Sequence, residues 1–204
     1  KSEYFLQTAI NNINKRNDIA KHIFIHLETQ EERDTWYKKY PHHFQKKPAA
    51  RKGKKELILK RTAYTLSFNT ETNLPNWVAW KLNKERLVER VSRKGYRFNP
   101  DPDIDINEAV VTQDYANSGY DRGHMCPAGD SRWSGQAMTE SFYMTNICPQ
   151  HPNLNGGDWH ELEKACRRWA LEGTIYIVCG PILYKNPSYA PIKKKKKIRV
   201  PEAF

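Results

Sequence analysis

The sequence predicts an α+β fold, with a central antiparallel sheet flanked by helices. Residues 62–68 alternate apolar and polar side chains, and a turn-rich stretch at 69–75 separates them from a second strand-like run at 77–82. Two such runs joined by a short turn are typical of a β-hairpin. A third apolar run at 174–179 predicts a further strand. A helix is expected to begin near Asp158, between the hairpin and that last strand.

Residues 1–50 are predicted to form a helical, charged N-terminal extension, and residues 51–204 the main domain. Apolar residues recur at helical spacing near the start of the chain, and a basic, turn-rich link at 48–55 lies at the boundary. Four histidines of the extension are too loosely arranged to be read as metal ligands and are expected at the surface: His22, His26, His42 and His43.

The composition allows a buried core and a polyanionic partner. Hydrophobic residues make up 38% and aromatic residues 12% of the 204 residues, so the chain can bury a core. Lys and Arg (34) exceed Asp and Glu (23), which gives a net charge of +11 at pH 7. Such an excess attracts phosphate, although a basic protein without a nucleic-acid role explains it equally well. The lysine run at 193–197 is interpreted as a solvated loop in preference to a nucleic-acid-facing patch or a localisation signal.

The sequence contains neither a membrane span nor a zinc ribbon. No apolar run approaches the roughly 20 residues that cross a bilayer, so a soluble chain is expected. It begins with Lys1 and shows no apolar signal segment, so no targeting peptide is expected within it. The cysteines lack CxxC spacing. The even number of cysteines allows two disulfides, but free, buried thiols are slightly favoured for most of the four. These are Cys126, Cys148, Cys166 and Cys179.

The first motif that carries chemistry is the stretch at 120–125, Tyr-Asp-Arg-Gly-His-Met. Phosphodiester hydrolysis needs a base to deprotonate water and a cation to offset charge on the phosphoryl oxygens. His124 can supply the base, because its ordinary pKa is near 6.5. Arg122 is a forked cation suited to phosphate, and Gly123 between them allows a close backbone approach. Taken alone, the triplet is also compatible with a loop that carries a surface histidine.

The second motif lies at 142–150, with Asn146 at its centre. Its front half is predicted to be a short strand that pairs near the histidine, with Pro149 ending it. A buried asparagine must find hydrogen-bond partners, so Asn146 serves either the structure or the site.

The third motif, at 153–163, predicts the start of a helix. Asp158 and Glu161 have the spacing of a capping box. Glu163 lies on the edge of the apolar helix face, where a carboxylate needs a cation, a metal-bound water or a salt bridge. Asn155 precedes the helix beside two glycines, where its side-chain oxygen can reach a hard cation. The apolar face is formed by Trp159, Leu162, Cys166, Trp169 and Ala170.

With these three motifs, the chain resembles the DNA/RNA non-specific endonucleases of the ββα-metal (His-Me finger) class, which include endonuclease G. The resemblance runs from about residue 64 to residue 204 and rests on residues 121–124, 146–150 and 155–163. It implies a ββα-metal finger active site, formed by the His124 strand, the Asn146 strand and the helix after Asp158. The first 50 residues have no counterpart in the shared core, and the relatives continue into a further strand beyond the last residue of this chain.

The resemblance also implies roles for residues of this site. His124 is the general base, and Asn155 is the one direct protein ligand of Mg²⁺, for which Mn²⁺ or another divalent cation can substitute. Waters complete the metal shell, and Glu163 and Asn146 hold those waters and the site geometry. Arg122 contacts phosphate.

The family also uses an upstream arginine near the scissile phosphate, for which Arg97 is the first choice and Arg93 the alternative. Sequence-independent cleavage of DNA and RNA with 5′-phosphate products is implied, and a proteinaceous inhibitor is an open partner. Because indiscriminate cleavage of nucleic acid harms the cell that makes the enzyme, export from a bacterial cell is expected.

Two other functions are compatible with the sequence. One is a nucleic-acid-binding module with weak or no catalysis on the same scaffold, which the presence of the histidine, asparagine and glutamate argues against. The other is a metal phosphodiesterase for small or lipid phosphate esters, which the large positive charge disfavours weakly.

Overall fold

The computed structural model describes residues 56–183, 191–192 and 198–204. The predicted helical extension at 1–50 with its histidines, the basic link at 48–55 and the lysine run at 193–197 lie outside these residues. The domain boundary after residue 50 therefore stays a prediction.

A four-stranded antiparallel sheet forms the centre of the fold and confirms the predicted α+β class. Its strands are β1 (Leu57–Lys60), β2 (Tyr64–Asn69), β3 (Leu74–Leu82) and β6 (Ile175–Cys179), in the spatial order β1-β2-β3-β6. Apolar side chains of β2 and β3 are fully buried and form the centre of the core. The hairpin and the late strand predicted from the sequence are thus both present.

The turn of the β2–β3 hairpin is shorter than predicted. Instead of the whole stretch at 69–75, only residues 70–73 turn, and Pro75 lies inside β3. The Asn69 side-chain oxygen accepts a hydrogen bond from the Glu71 amide at 2.9 Å, and Asn73 has a positive φ of 55°. Pro75 lies opposite Phe68, directly after a register shift between Ser67 and Phe68. Such an irregularity accommodates a proline in a strand, because proline lacks the amide hydrogen of a regular pair.

The remaining elements are a two-stranded sheet and two helices. The antiparallel strands β4 (Asp121–His124) and β5 (Ile147–Gln150) pair so that His124 faces Ile147. The short helix α1 (Gly135–Ser141) lies between them in sequence and was not expected. The predicted helix after Asp158 is present as α2 (Trp159–Glu172).

The segment around Asn146 differs from the prediction. Residues Met144–Asn146 form a 3₁₀ turn, so Asn146 immediately precedes β5, and Pro149 lies within the strand and does not end it. Pro149 lies opposite Arg122 in the strand pair. Because proline has no amide hydrogen, this position leaves no backbone donor unpaired. Further short turns lie at Lys84–Leu87, Thr112–Tyr115, Ala128–Ser131 and, with π-helical bonding, Leu154–Asp158.

The predicted capping box of α2 is wrong, although the helix begins where expected. The turn Leu154–Asp158 leads directly into α2, so Asp158 already has helical backbone angles and its side chain caps no amide. Of the predicted apolar face, Leu162 is 46% exposed, whereas the other four residues pack into or against the core.

All four cysteines are free thiols, as favoured from the sequence, and three of them are buried. Within the described residues, no helix is both long and apolar enough to span a membrane.

Candidate active site

His124 lies at the end of β4 and is buried between two phenylalanine rings. The residue as a whole is only 9% exposed. The imidazole centroid lies 5.2 Å from that of Phe98 and 5.1 Å from that of Phe142, the latter in an edge-to-face arrangement. Among the described residues, no group hydrogen-bonds its buried Nε2 atom. An unpaired buried nitrogen is costly, so this atom is suited to a partner that arrives with the substrate.

The surroundings of His124 keep its imidazole neutral. Burial, and secondarily the positive charge of Arg93, lower the pKa of His124 from its ordinary 6.5 to about 3. The imidazole is therefore neutral at pH 7 and has a free lone pair, although its low pKa also makes it a weaker proton acceptor than an ordinary histidine.

Asn155 is fixed to the histidine strand by Asp121. Its Nδ2 donates a hydrogen bond of 2.9 Å to the Asp121 carboxylate. This bond uses the nitrogen end of the amide and turns the carbonyl oxygen toward other partners. Asp121 and His124 are three residues apart on one strand, which corresponds to about 10 Å. Because side chains alternate between the two faces of a strand, Asp121 and His124 leave β4 on opposite faces, so this bond ties Asn155 to β4 and not to the imidazole itself.

Trp159 joins the helix to the same strand. Its indole Nε1 donates a hydrogen bond of 3.1 Å to the main-chain oxygen of His124. Its ring also packs at 5.5 Å on the ring of Phe204. The first turn of α2 is thereby anchored at the residue that carries the imidazole.

Asn146 is fully buried and bonded to the backbone around it. Its Oδ1 accepts a hydrogen bond from the Cys126 amide at 2.9 Å. Its Nδ2 donates to the main-chain oxygens of Cys126 and Ser141, each at 2.9 Å. These bonds tie the turn before β5 to the chain that leaves His124, so the side chain shapes the site from within the protein.

Glu163 lies one helical turn after Trp159 and is partly buried. Its side chain is 19% exposed, and its carboxylate lies 3.7 Å from His160 and 3.8 Å from Arg167. Burial raises the pKa of Glu163 to about 7, against the effect of the Arg167 charge, and Asp130 adds to the rise.

Asp130 and Arg167 form an ion pair beside Glu163, in which Asp130 is buried and Arg167 is partly exposed. The Arg167 guanidinium donates to the Asp130 carboxylate at 2.9 Å, and the Trp80 indole donates to its other oxygen at 3.0 Å. Arg167 passes close to Gly129, where a Cβ atom would lie 2.8 Å from its Nη1. The sequence had not indicated this pair, although an arginine four residues after Glu163 was a signal that could have found it.

Two arginines lie over the phenylalanine rings that flank His124. The Arg122 guanidinium lies 4.8 Å from the ring centroid of Phe98, and that of Arg93 lies 5.5 Å from the centroid of Phe142. Both rings contact His124. A cavity of about 550 Å³ lies next to these rings, and Arg93, Arg97 and Arg122 line it. Arg97 is exposed.

The oxygen donors at β4 and α2 fit a hard cation. Within the residues that the structure describes, no three His, Cys, Asp or Glu side chains are grouped as metal ligands. A cation held by one amide oxygen and several waters needs no such group. The side-chain oxygen of Asn155 is of this kind, and the partly buried carboxylate of Glu163 is able to accept hydrogen bonds from such waters.

Comparison with known proteins places this chain in a family. A family model described as DNA/RNA non-specific endonuclease matches residues 41–204. The chain belongs to this family. The match begins within the stretch that the sequence had assigned to the N-terminal extension.

The family includes similar proteins from animals and bacteria. The chain is 40% identical over 123 residues to mitochondrial nuclease EXOG of Danio rerio, which is 60% of this chain and 36% of that protein. It is 35% identical over 123 residues to mitochondrial endonuclease G of Homo sapiens (60% and 41%) and 36% identical over 126 residues to a nuclease of Nostoc (61% and 45%). The chain thus spans less than half the length of these relatives.

The fold is also similar to that of a solved structure. A crystal structure of the EndoG/EndoGI complex, which concerns the mechanism of EndoG inhibition, superposes with a TM-score of 0.65 and 29% identity. The match covers 71% of this chain and 63% of the other.

Proposed function

We propose that this protein is a Mg²⁺-dependent, sequence-nonspecific endonuclease that hydrolyses phosphodiester bonds of DNA and RNA. One observation carries the proposal: a neutral imidazole with an unpartnered Nε2 lies on the same short strand that fixes the amide of Asn155, and Arg93 and Arg122 lie over the two rings beside it. Family membership supports the same reaction.

His124 is the proposed general base. Its neutral imidazole takes a proton from water at Nε2, and the water attacks phosphorus in line with the leaving 3′ oxygen. A positioned base contributes about 10²–10⁴-fold to the rate. Packing between Phe98 and Phe142 holds the ring in place.

Asn155 and Glu163 are proposed to hold the cation, Asn155 directly and Glu163 through water. Mg²⁺ or Mn²⁺ would stabilise charge on the phosphoryl oxygens and the departing oxygen. Asn146 has a different proposed role from the one expected at first. Because its amide is bonded to Cys126 and Ser141, it holds the geometry of the site, and the metal-bound waters are left to Glu163.

Arg93 and Arg122 are proposed to contact the scissile phosphate. Arg93 is preferred to Arg97, because Arg93 packs on the Phe142 ring beside His124 and its charge is felt by both His124 and Glu163. Forked guanidinium groups bind phosphate oxygens in pairs. Contacts to phosphate carry no base sequence, which explains cleavage without sequence choice.

The products are proposed to carry 5′-phosphates, as the family resemblance implies. A protein inhibitor is a plausible partner class, since the similar EndoG structure is a complex that concerns EndoG inhibition. Export from a bacterial cell stays a prediction from the sequence.

A substrate panel tests the proposal. Plasmid DNA, single-stranded RNA and a small phosphate diester are incubated with Mg²⁺, with and without a chelator. We expect cleavage of both polymers, loss of cleavage with the chelator, and little turnover of the small diester. Hydrolysis of the diester alone would favour a small-molecule phosphodiesterase, and binding without cleavage would favour an inactive nucleic-acid-binding module.

A further inference from the structure

The cavity beside His124 combines positive charge with aromatic surface. Its volume of about 550 Å³ lies within the roughly 300–1,000 Å³ of small-ligand sites. No acidic side chain is among the described residues that line it, whereas four cationic residues are: Arg93, Lys94, Arg97 and Arg122. This charge selects an anion, and the volume of the cavity exceeds what a phosphate alone needs.

Three aromatic rings line the same cavity, and they differ in how accessible they are. Phe142 is only 3% exposed, and the Arg122 guanidinium lies over Phe98 at 4.8 Å. Tyr96 is partly exposed, and its ring lies nearly parallel to that of Phe142, with centroids 6.3 Å apart and an angle of 16°. Phe142 thus supports Tyr96 from one side, and Tyr96 is the ring with surface to offer a ligand.

The backbone before Tyr96 holds the ring at the cavity. Gly95 has a φ of +96°, a conformation that side-chain-bearing residues rarely adopt, and the Tyr96 amide donates to the Arg93 main-chain oxygen at 3.3 Å. The turn sets Arg93 and Tyr96 at the same opening. A phosphate on Arg93 and a planar group on Tyr96 can therefore belong to one ligand.

We infer that this cavity takes one unpaired nucleotide of the substrate strand, next to the scissile phosphate, with its base stacked on Tyr96. This rests on the proposed function, because His124 defines which phosphate is scissile. Every base has a π face, so stacking on tyrosine adds affinity without sequence choice. A base held in a duplex is not free to enter, so a single strand is bound more tightly than a duplex.

Kinetics on two single-stranded substrates test the inference. One is a DNA oligonucleotide, and the other is the same backbone with abasic tetrahydrofuran residues in place of nucleosides. Stacking of about 1–3 kcal/mol per base corresponds to about 5–150-fold in affinity. Tyr96→Ala is expected to raise KM for the oligonucleotide by a factor in this range and to leave KM for the abasic strand nearly unchanged. Tyr96→Phe retains the ring and is expected to restore the oligonucleotide KM.

Equal KM increases on both substrates, or no increase on either, would overturn the inference. A merely structural role of Tyr96 affects both strands alike. If the chain cleaves neither strand with Mg²⁺, the proposed function fails. If it cleaves both strands and Tyr96→Ala changes nothing, only the nucleotide pocket is rejected.

Photocrosslinking gives a readout that requires no substitution. An oligonucleotide with 5-iodouracil at every pyrimidine position is bound to the unaltered chain in EDTA and irradiated, and crosslinked peptides are identified by mass spectrometry. We expect Tyr96 to be the main crosslinked aromatic residue of the cavity. Crosslinks elsewhere, or none despite measured binding, would contradict the pocket.

Discussion

The Trp159 indole donates a hydrogen bond of 3.1 Å to the main-chain oxygen of His124. Trp159 is the first residue of α2, and His124 is the last residue of β4. One bond thus joins the helix that carries Glu163 to the strand that carries the imidazole. The bond helps to set the spacing between the proposed base and the residues proposed to hold the metal.

Trp159→Phe should weaken catalysis more than it weakens folding. The phenyl ring retains packing but loses the indole donor, which costs about 0.5–1.5 kcal/mol of stability. A displaced base lowers kcat strongly, and we expect a loss of about tenfold. Melting temperature and kcat on plasmid DNA measure the two effects. Trp133→Phe is the matched control, because its indole also donates to a main-chain oxygen at 3.1 Å, on Asp130. Equal losses of kcat in both variants would contradict the role given to Trp159.

Asp121 should control the metal requirement through Asn155. Asp121→Ala removes the acceptor that orients the Asn155 amide, and loss of such a supporting group typically weakens metal affinity about 10–100-fold. We expect the Mg²⁺ concentration for half-maximal activity to rise by such a factor, with kcat largely recovered at saturating Mg²⁺. Asp121→Asn keeps an acceptor and should lie between. Asp158→Ala removes an exposed carboxylate nearby in the sequence and should leave the Mg²⁺ concentration for half-maximal activity unchanged. An equal rise in Asp158→Ala and Asp121→Ala would mean that only the lost negative charge matters.

Gly123 should tolerate no side chain. A Cβ atom there would lie 2.0–2.5 Å from atoms of the buried Gln150 side chain. Overpacking of this kind costs about 1–3 kcal/mol. Gly123→Ala should lower the free energy of unfolding by that amount, measured by urea denaturation. Gly156→Ala is the control, since nothing lies within 4 Å of its added carbon. Combining Gly123→Ala with Gln150→Ala should recover part of the loss, and a stable single variant would show that the contact is absent.

The depressed pKa of His124 predicts a dependence of stability on pH. The pKa falls from 6.5 in the unfolded chain to about 3 in the fold, so between these values the unfolded chain binds the proton and the folded chain does not. The contribution to stability is complete above about pH 6.5 and is lost as the pH falls toward 3. At pH 5 the loss is about 2 kcal/mol. Wild type should therefore lose more unfolding free energy between pH 7.5 and 5 than His124→Asn.

Glu163 acts in the opposite direction over part of this range. Its raised pKa of about 7 favours the fold as the pH falls, because the folded chain then binds the proton first. Both proteins carry Glu163, so its effect cancels in the difference between wild type and variant. Equal pH slopes in the two proteins would contradict a buried, neutral His124.

The elements that the sequence predicted well are those with strong local patterns. Alternation marked β2 and β3, and the apolar run marked β6. The linked motifs placed His124, Asn155 and Glu163 on elements that do meet. In each of these segments the local sequence pattern and the tertiary packing favour the same structure, so the sequence pattern alone predicts the element.

The predictions that failed concern bonds set by distant parts of the chain. Helix α1 has only seven residues and is held mainly by burial of side chains such as Met138, which no short-range pattern reports. The capping box was wrong because the chain enters α2 already helical. Leu162 has the right spacing for the core, but it is 46% exposed in the fold. Asp121, which orients Asn155 from 34 positions away, carries no signal of its role in a single sequence.

The roles proposed for the site depend on His124 being the base. The most direct measurement is the cleavage rate of plasmid DNA in Mg²⁺ by His124→Ala, beside His151→Ala as a control that removes an exposed histidine. The proposed mechanism predicts that His124→Ala loses at least about 100-fold in rate, since a general base contributes at least this much, while binding to DNA in EDTA is retained. Cleavage by His124→Ala at the wild-type rate would contradict it.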